Sequence, residues 1–286
     1  MVGTVLAVYI VKSSEFLGLN VFAYYSNYGG PFMCLIAFSY NVHPSYPLII
    51  VANRDEFYDR PTAAAIFWED EPEILAGRDL RQHGSWMGVS KNGRFAAITN
   101  YRDPRLPETG QLSRGEIVRL FLTSTETTDS FIQSLRAKRD LYGGFNVLLY
   151  DGEDMHHYNN IYDEHRIVES GIHGVSNATF NTPWPKVNAA KSVLANATDK
   201  DAIEVNTLIS LLANDEIAQD EVLPNTGVGI HLERSLSAQF VKLPNYGTRC
   251  STAIVFHNNG EIDFLERTYE DGKYKFDRSY RIDAGE

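Results

Sequence analysis

From residue 34 onward, the apolar and polar positions fall into short runs whose periods separate strands from helices. Residues 34–42 (CLIAFSYNV) are apolar and β-prone, and residues 48–52 (LIIVA) form an unbroken apolar run, as expected of a buried strand. The polar stretch His43-Pro44-Ser45-Tyr46-Pro47 between them reads as a turn. Residues 86–90 and 94–100 flank Lys91-Asn92-Gly93, and Asn-Gly between two apolar runs predicts a hairpin. The pattern then changes period. Ser113-Arg114-Gly115-Glu116 matches a capping box, and Ile117, Leu120 and Phe121 follow at helical spacing. A second helix is expected over 128–138. Strands return at 145–150, 155–158 and 174–176. Residues 184–197 are rich in Ala and Lys and read as a helix with Pro185 near its start, and 202–212 as a further helix. The C-terminal part predicts strands at 250–256, 262–267 and 273–281, joined by Asn258-Asn259-Gly260 and Asp271-Gly272.

Strands therefore come in hairpins at both ends of the chain, with helices grouped between them. That order predicts an α+β fold of antiparallel sheets with packed helices, not a doubly wound parallel sheet. No internal repeat or low-complexity linker divides the chain, so residues 33–286 are expected to form a single domain. Residues 1–32 stand apart. The apolar run at 2–11 has the length of a signal peptide but no basic segment before it, and Lys12 and Glu15 end it too early to span a bilayer. Three readings compete for 1–32: translation from an upstream start, a cleaved propeptide or targeting segment, or a folded part of the domain. The first is favoured, which makes 1–32 an extension outside the mature domain.

Charge narrows the partners. The chain carries 37 acidic against 26 basic residues, a net of −11, with no dense Lys/Arg stretch, which disfavours non-specific binding to nucleic acid or to an anionic membrane. Two cysteines, Cys34 and Cys250, are too few for a disulfide scaffold, and the composition suits a reducing cytosol. The expected location is thus cytoplasmic, with no stable membrane insertion. His156-His157 is the only close histidine pair. Neighbours on a strand point to opposite faces, so the pair predicts an exposed strand and no metal site.

Met33-Cys34 carries the most chemistry. Trimming of an initiator Met33 would leave Cys34 with a free α-amine of pKa ~7.7–8.0 beside a thiol of pKa ~8.5, a general base and a nucleophile in one residue. Behind Met33 the same nitrogen is an amide and cannot be a base. Asn53-Arg54-Asp55-Glu56 follows directly on the buried run 48–52, where Arg54 and Asp55 either orient a nucleophile on the neighbouring strand or form a structural ion pair. Asn100 and Asn177 each end an apolar run and are either oxyanion donors or turn formers. Arg249 opens the strand at 250–256. Alternation puts Arg249 and Cys250 on opposite faces, so an Arg249 facing the site makes Cys250 a filler facing away.

The run Val51-Ala52-Asn53-Arg54-Asp55-Glu56-Phe57-Tyr58-Asp59-Arg60-Pro61-Thr62 resembles the signature of the NRDE family, also called the transport and Golgi organisation protein 2 family. The resemblance continues in Gly84-Ser85-Trp86-Met87-Gly88-Val89-Ser90, Ala97-Ile98-Thr99-Asn100-Tyr101-Arg102, Gly143-Gly144-Phe145-Asn146, Gly174-Val175-Ser176-Asn177 through Trp184, and Tyr246-Gly247-Thr248-Arg249. It begins at Met33, and family members typically begin at Met-Cys. The resemblance implies an N-terminal-nucleophile hydrolase-like fold, a four-layer αββα sandwich. It implies Cys34 as nucleophile with its α-amine as base, Arg54 and Asp55 holding both, Asn100 and Asn177 in oxyanion or substrate contacts, and Arg249 closing the site. Cys250 stands where the family often has Ser, a change expected to be neutral.

Two functions follow as expectations. One is hydrolysis of a non-peptide C–N bond in a small-molecule amide, which requires no cofactor. The other, from the family association alone, is a non-enzymatic role in haem binding and trafficking, with links to Golgi and secretory organisation or lipid homeostasis. The sequence marks no axial haem ligand.

Overall fold

The computed structural model describes residues 33–106 and 110–283. The extension at 1–32 lies outside the described residues. The chain opens with the hairpin β1 (Met33–His43) and β2 (Tyr46–Phe57). A run of sheet strands follows: β3 (Thr62–Phe67), β4 (Ile74–Asp79), β5 (Met87–Ser90) and β6 (Phe95–Asn100). After helices α1 (Arg114–Thr123) and α2 (Thr128–Arg136) come β7 (Phe145–Tyr150), β8 (Met155–Asn159), β9 (Glu164–Ile167) and β10 (Gly171–Val175). Helices α3 (Pro185–Thr198), α4 (Val205–Leu208) and α5 (Ile230–Ser235) lead to β11 (Tyr246–Phe256), β12 (Glu261–Glu270) and β13 (Lys273–Asp283).

These strands form two sheets, β10-β1-β2-β11-β12-β13 and β3-β4-β5-β6-β7-β8-β9, antiparallel throughout. Three apolar layers hold them. Between the sheets, Ile36, Phe38, Ile50, Ala52 and Ile254 of the first meet Leu75, Val89, Phe95, Ala97 and Leu148 of the second. The opposite face of the first sheet (Leu35, Ala37, Ile49, Val51, Val255) packs on Val187, Ala190 and Leu194 of α3. The outer face of the second (Ala76, Ala96, Val147, Leu149) packs on Ile117, Val118 and Phe121 of α1 and Ile132 of α2. The fold is the α+β four-layer αββα sandwich. A strand buried on both faces has no polar side, so 48–52 reads as an unbroken apolar run.

The hairpin signals lie where expected. Gly93 and Gly260 take positive φ (83° and 90°), as do Asp271 and Gly272 (49° and 72°), which joins β12 to β13 by a two-residue turn. Elsewhere the structure corrects the pattern. Residues 62–79, without a strand signal, form β3 and β4. Their Ala- and Gly-rich stretches TAAAIF and ILAGRD have low β propensity and are held by pairing. The charged edge strand β9 (EHRI) was silent for a related reason. The capping box does not close: Ser113 precedes α1, but its hydroxyl bonds Gln82 Oε1 at 3.0 Å, and Glu116 pairs with Arg119. The helix expected at 202–212 is only one turn, α4, followed by further turns. His156 and His157 do lie on a strand, β8, but both are buried, because α2 covers one face of it and the first sheet the other.

Candidate active site

The N-terminal end of β1 is the centre of the site. Register places Cys34 opposite Arg54 on β2, and Arg54 opposite Cys250 on β11, so the three side chains form one row on the face toward the second sheet. Two strand spacings of ~4.8 Å separate the thiols, too far for a disulfide between them. Both cysteines are free and buried. The neighbouring row alternates to the helix-facing side: Met33 lies opposite Asp55, and Asp55 opposite Thr248, whose hydroxyl donates to Asp55 Oδ1 at 2.7 Å.

The expectation for Cys250 is overturned here. Pairing of β11 with β2 shifts between Thr248 and Cys250, so Arg249 is the extra residue of a β-bulge. The bulge breaks alternation. Arg249 and Cys250 therefore line the same cavity, and the cysteine is not a filler on the far face.

That cavity, about 140 Å³, lies between the ends of the two sheets. Of the residues singled out from the sequence, Cys34, Arg54, Asp55, Asn100 and Arg249 line it. Asn177 does not. It is fully buried behind the wall, where its Nδ2 donates to the Asn100 carbonyl at 2.9 Å and its own carbonyl accepts from the Arg102 amide at 2.7 Å. Asn177 thus joins the end of β6 to the end of β10. Ser176, just before it, donates from its hydroxyl to the Cys34 carbonyl at 2.8 Å, which fixes the Cys34 backbone.

Charges crowd the wall. Arg54 Nη2 lies 3.3 Å from Glu56 Oε2, and its Nη1 reaches Thr62 Oγ1 at 3.4 Å. Arg60 reaches the same Glu56 oxygen at 3.6 Å and Asp79 at 2.6 Å. Arg249 Nη1 donates to the carbonyls of Phe57 (2.7 Å) and Arg60 (3.2 Å), which fastens the bulge to the end of β2. Glu266 of β12 accepts from the Ala65 amide at 2.7 Å and so links the two sheets beside Cys250. Behind Cys34, the Lys186 ammonium of α3 and Asp55 Oδ2 are buried without hydrogen-bond partners.

These surroundings set the protonation states. Burial pushes the Cys34 thiol up to about 12, aided by the Asp55 carboxylate, while Arg54 and the Asp55 amide pull it back. Behind Met33, then, Cys34 is a neutral thiol. Burial raises Asp55 despite Lys186, Thr248 and Arg54, and burial lowers Lys186 despite Asp55. Burial opposes the charge on Arg54, but Glu56, together with Cys250, Cys34 and Asp79, more than restores it, so that guanidinium is a fixed cation beside the thiol.

Sequence reasoning missed four residues of this site. Glu56 and Arg60 stood inside the quoted motif without a role. Glu266 was findable, since it shares strand alternation with buried Phe264. Lys186 carried no signal, because an N-terminal lysine of a helix is ordinarily exposed.

Comparison with known proteins agrees over the described domain. The family model for Transport and Golgi organisation 2 matches residues 33–271. A Transport and Golgi organization protein 2 homolog from Bos taurus is 37% identical over 262 residues, covering 82% of this chain and 93% of that protein. The Homo sapiens homolog is 36% identical, covering 84% and 94%, and the Drosophila melanogaster protein 25%, covering 82% and 92%. Among solved structures, a mutant of the conjugated bile acid hydrolase from Clostridium perfringens is similar with a TM-score of 0.46 at 8% identity, covering 88% of this chain and 97% of that one. No helix among the described residues is long and apolar enough to cross a membrane.

Proposed function

The chain belongs to the Transport and Golgi organisation 2 family, and from that premise we propose that its site is a Cys N-terminal-nucleophile centre that hydrolyses a non-peptide C–N bond in a small amide. The observation that carries this reading is the placement of Cys34: first strand, second position from Met33, side chain on the cavity wall next to the Arg54 cation. In this reading the active chain begins at Cys34. Its α-amine takes the thiol proton, and the thiolate attacks the substrate carbonyl, forming a C–S bond as the C=O electron pair moves to oxygen. Arg54 stabilises the thiolate. Asn100 is the oxyanion donor, held in place by Asn177, and Arg249 closes the cavity rim. Collapse breaks the C–N bond, and the α-ammonium protonates the departing nitrogen. Water, deprotonated by the amine, then cleaves the thioester to release a carboxylic acid and restore Cys34.

At this site, cavity size favours hydrolysis over haem binding. About 140 Å³ falls well below the ~300–1,000 Å³ of common ligand pockets, so it suits an acyl or amide end group better than a porphyrin.

The test starts from protein translated at Met33, with the N-terminal mass measured first. Chains beginning at Cys34 should be labelled at that residue by an electrophilic amide-type probe and should turn over members of a broad small-amide panel. Neither labelling nor turnover, with a free N-terminal Cys verified, would sink the proposal. A saturable Soret shift that disappears with Cys34→Ala would favour the carrier role in its place.

A further inference from the structure

Far from the cavity, on the helix-covered face of the second sheet, two histidines and a carboxylate converge. His156 of β8 and His165 of β9 sit on diagonal register positions, since His156 lies opposite Ile167 and Tyr158 opposite His165. Their rings are stacked, 13° from parallel with centroids 5.3 Å apart. His156 Nδ1 lies 3.0 Å from His165 Nε2. Asp129 Oδ1 lies 3.8 Å from both nitrogens. We propose that Asp129, His156 and His165 form a binding site for a divalent transition-metal ion such as Zn²⁺.

The geometry and the scaffold carry this. Two imidazole nitrogens at 3.0 Å share either a proton or a cation. Zn–N and Zn–O bonds of ~2.0–2.1 Å at tetrahedral angles put ligand atoms ~3.3 Å apart, and the observed separations lie on either side of that value. Two imidazoles with one carboxylate favour zinc and its first-row neighbours over calcium or magnesium, which take oxygen ligands. All three ligands stand on regular elements. Asp129 occupies the first turn of α2, where Thr127 caps by accepting from Ser130 N at 3.3 Å and Thr128 Oγ1 donates to Asp151 Oδ2 at 2.5 Å. His156 is 3% exposed, whereas the Asp129 side chain is 67% exposed, so the ligands form a wall with one open, solvent-facing side. That opening supplies an entry path and leaves a coordination position for water. Bound metal would clip the start of α2 onto the outer edge of the sheet, at the short charged strand β9. Among the described residues this is the one cluster of three or more metal-type ligands.

The experiment is titration of the full, chelator-stripped chain with Zn²⁺ by calorimetry, followed by thermal unfolding with and without the ion. One equivalent should bind per chain and raise the melting temperature. Asp129→Ala should weaken binding at least ~10-fold and His165→Gln ~100-fold, both variants being folded by circular dichroism, while Cys34→Ser with Cys250→Ser leaves the affinity unchanged. Absence of saturable binding would leave a plain imidazole–imidazole hydrogen bond and overturn the proposal, as would equal affinity in His165→Gln or loss of binding in the cysteine variant.

Discussion

Acid should unfold this protein partly through one residue, His157. It is completely buried between the sheets, and its Nε2 lies 3.1 Å from Asn146 Oδ1. The Asn146 amide nitrogen donates to Thr99 Oγ1 and the Ala178 carbonyl, so its Oδ1 must accept and His157 must carry the proton on Nε2. Nδ1 is left bare and without a partner. A second proton would go there, in an apolar space near Arg166 and His165. Burial first, then those two neighbours, push His157 down to about 3. The unfolded chain takes up that proton near pH ~6.5. Between these values the unfolded state binds more protons, so the stability that neutral His157 contributes is complete above pH ~6.5 and drains away as pH falls toward 3. At about 1.4 kcal/mol per pH unit, the loss from pH 6.5 to 4.5 is about 2–3 kcal/mol. Urea unfolding at half-unit steps reads it directly. His157→Gln keeps an amide donor for Asn146 and cannot titrate, so the gap between wild type and variant should close by that amount over the window. Comparing the two curves cancels the carboxylates. Parallel curves from pH 7 to 4 would refute the reasoning. The effect reaches the site, because Thr99 Oγ1 donates to the Ser176 carbonyl at 2.6 Å and Ser176 holds the Cys34 carbonyl.

Arg54→Ala leaves Glu56 buried with Arg60 alone at 3.6 Å, so it should destabilise toward the lower end of about 3–5 kcal/mol. Denaturant midpoints must be measured before any loss of labelling at Cys34 is credited to chemistry. Lys186→Met removes an ammonium without hydrogen-bond partners while keeping its apolar stem, and stability should change by less than about 1 kcal/mol. The same variant should slow iodoacetamide alkylation of Cys34 in chains beginning there, since the thiolate loses a nearby cation; an unchanged rate would separate Lys186 from the site. Gly84→Ala would place a methyl 2.5 Å from the Gly115 carbonyl carbon at the start of α1, backbone against backbone. The helix must shift, at about 1–3 kcal/mol, and a melting temperature within a degree of wild type would contradict that contact.

How much of this was legible depended on whether neighbours along the chain were also neighbours in space. The hairpins at Gly93, Gly260 and Gly272 were readable because a turn is local. The apolar run 48–52 was readable because burial on both faces leaves no polar positions. Alternation failed at Arg249, where a bulge added one residue, and no pattern in Tyr-Gly-Thr-Arg-Cys announces a bulge. Strands β3 and β4 were invisible because their Ala- and Gly-rich stretches carry little β preference and are held by pairing. The resemblance supplied Cys34, Arg54 and Asp55 together, but only register revealed that, although both Arg54 and Asp55 line the cavity, their side chains leave opposite faces of one strand, Arg54's toward the second sheet and Asp55's toward Lys186.

That division bears on Met33. Its side chain is buried on the Asp55 face with Tyr246, Leu232 and Leu236, and its backbone nitrogen lies 2.6 Å from the Tyr246 hydroxyl. Arg102 Nη2 is spent on the Met33 sulfur at 2.9 Å, a weak acceptor, though its Nη1 pairs with Glu233 at 2.8 Å. Around this point Arg102 Nε, Asp55 Oδ2 and the Lys186 ammonium are all buried and unsatisfied. Each such group ordinarily costs about 1–3 kcal/mol. An apolar methionine among three charged side chains with unsatisfied atoms is a local conflict, although unsatisfied atoms also occur elsewhere among the buried groups, at Ser39, His157 and Thr252. Departure of Met33 would resolve the conflict. It removes the apolar side chain, admits water to the stranded atoms, and converts the Cys34 nitrogen from an amide to an amine. The polar lining on the Met33 side is a physical argument, independent of family resemblance, in support of our proposal that the active chain begins at Cys34.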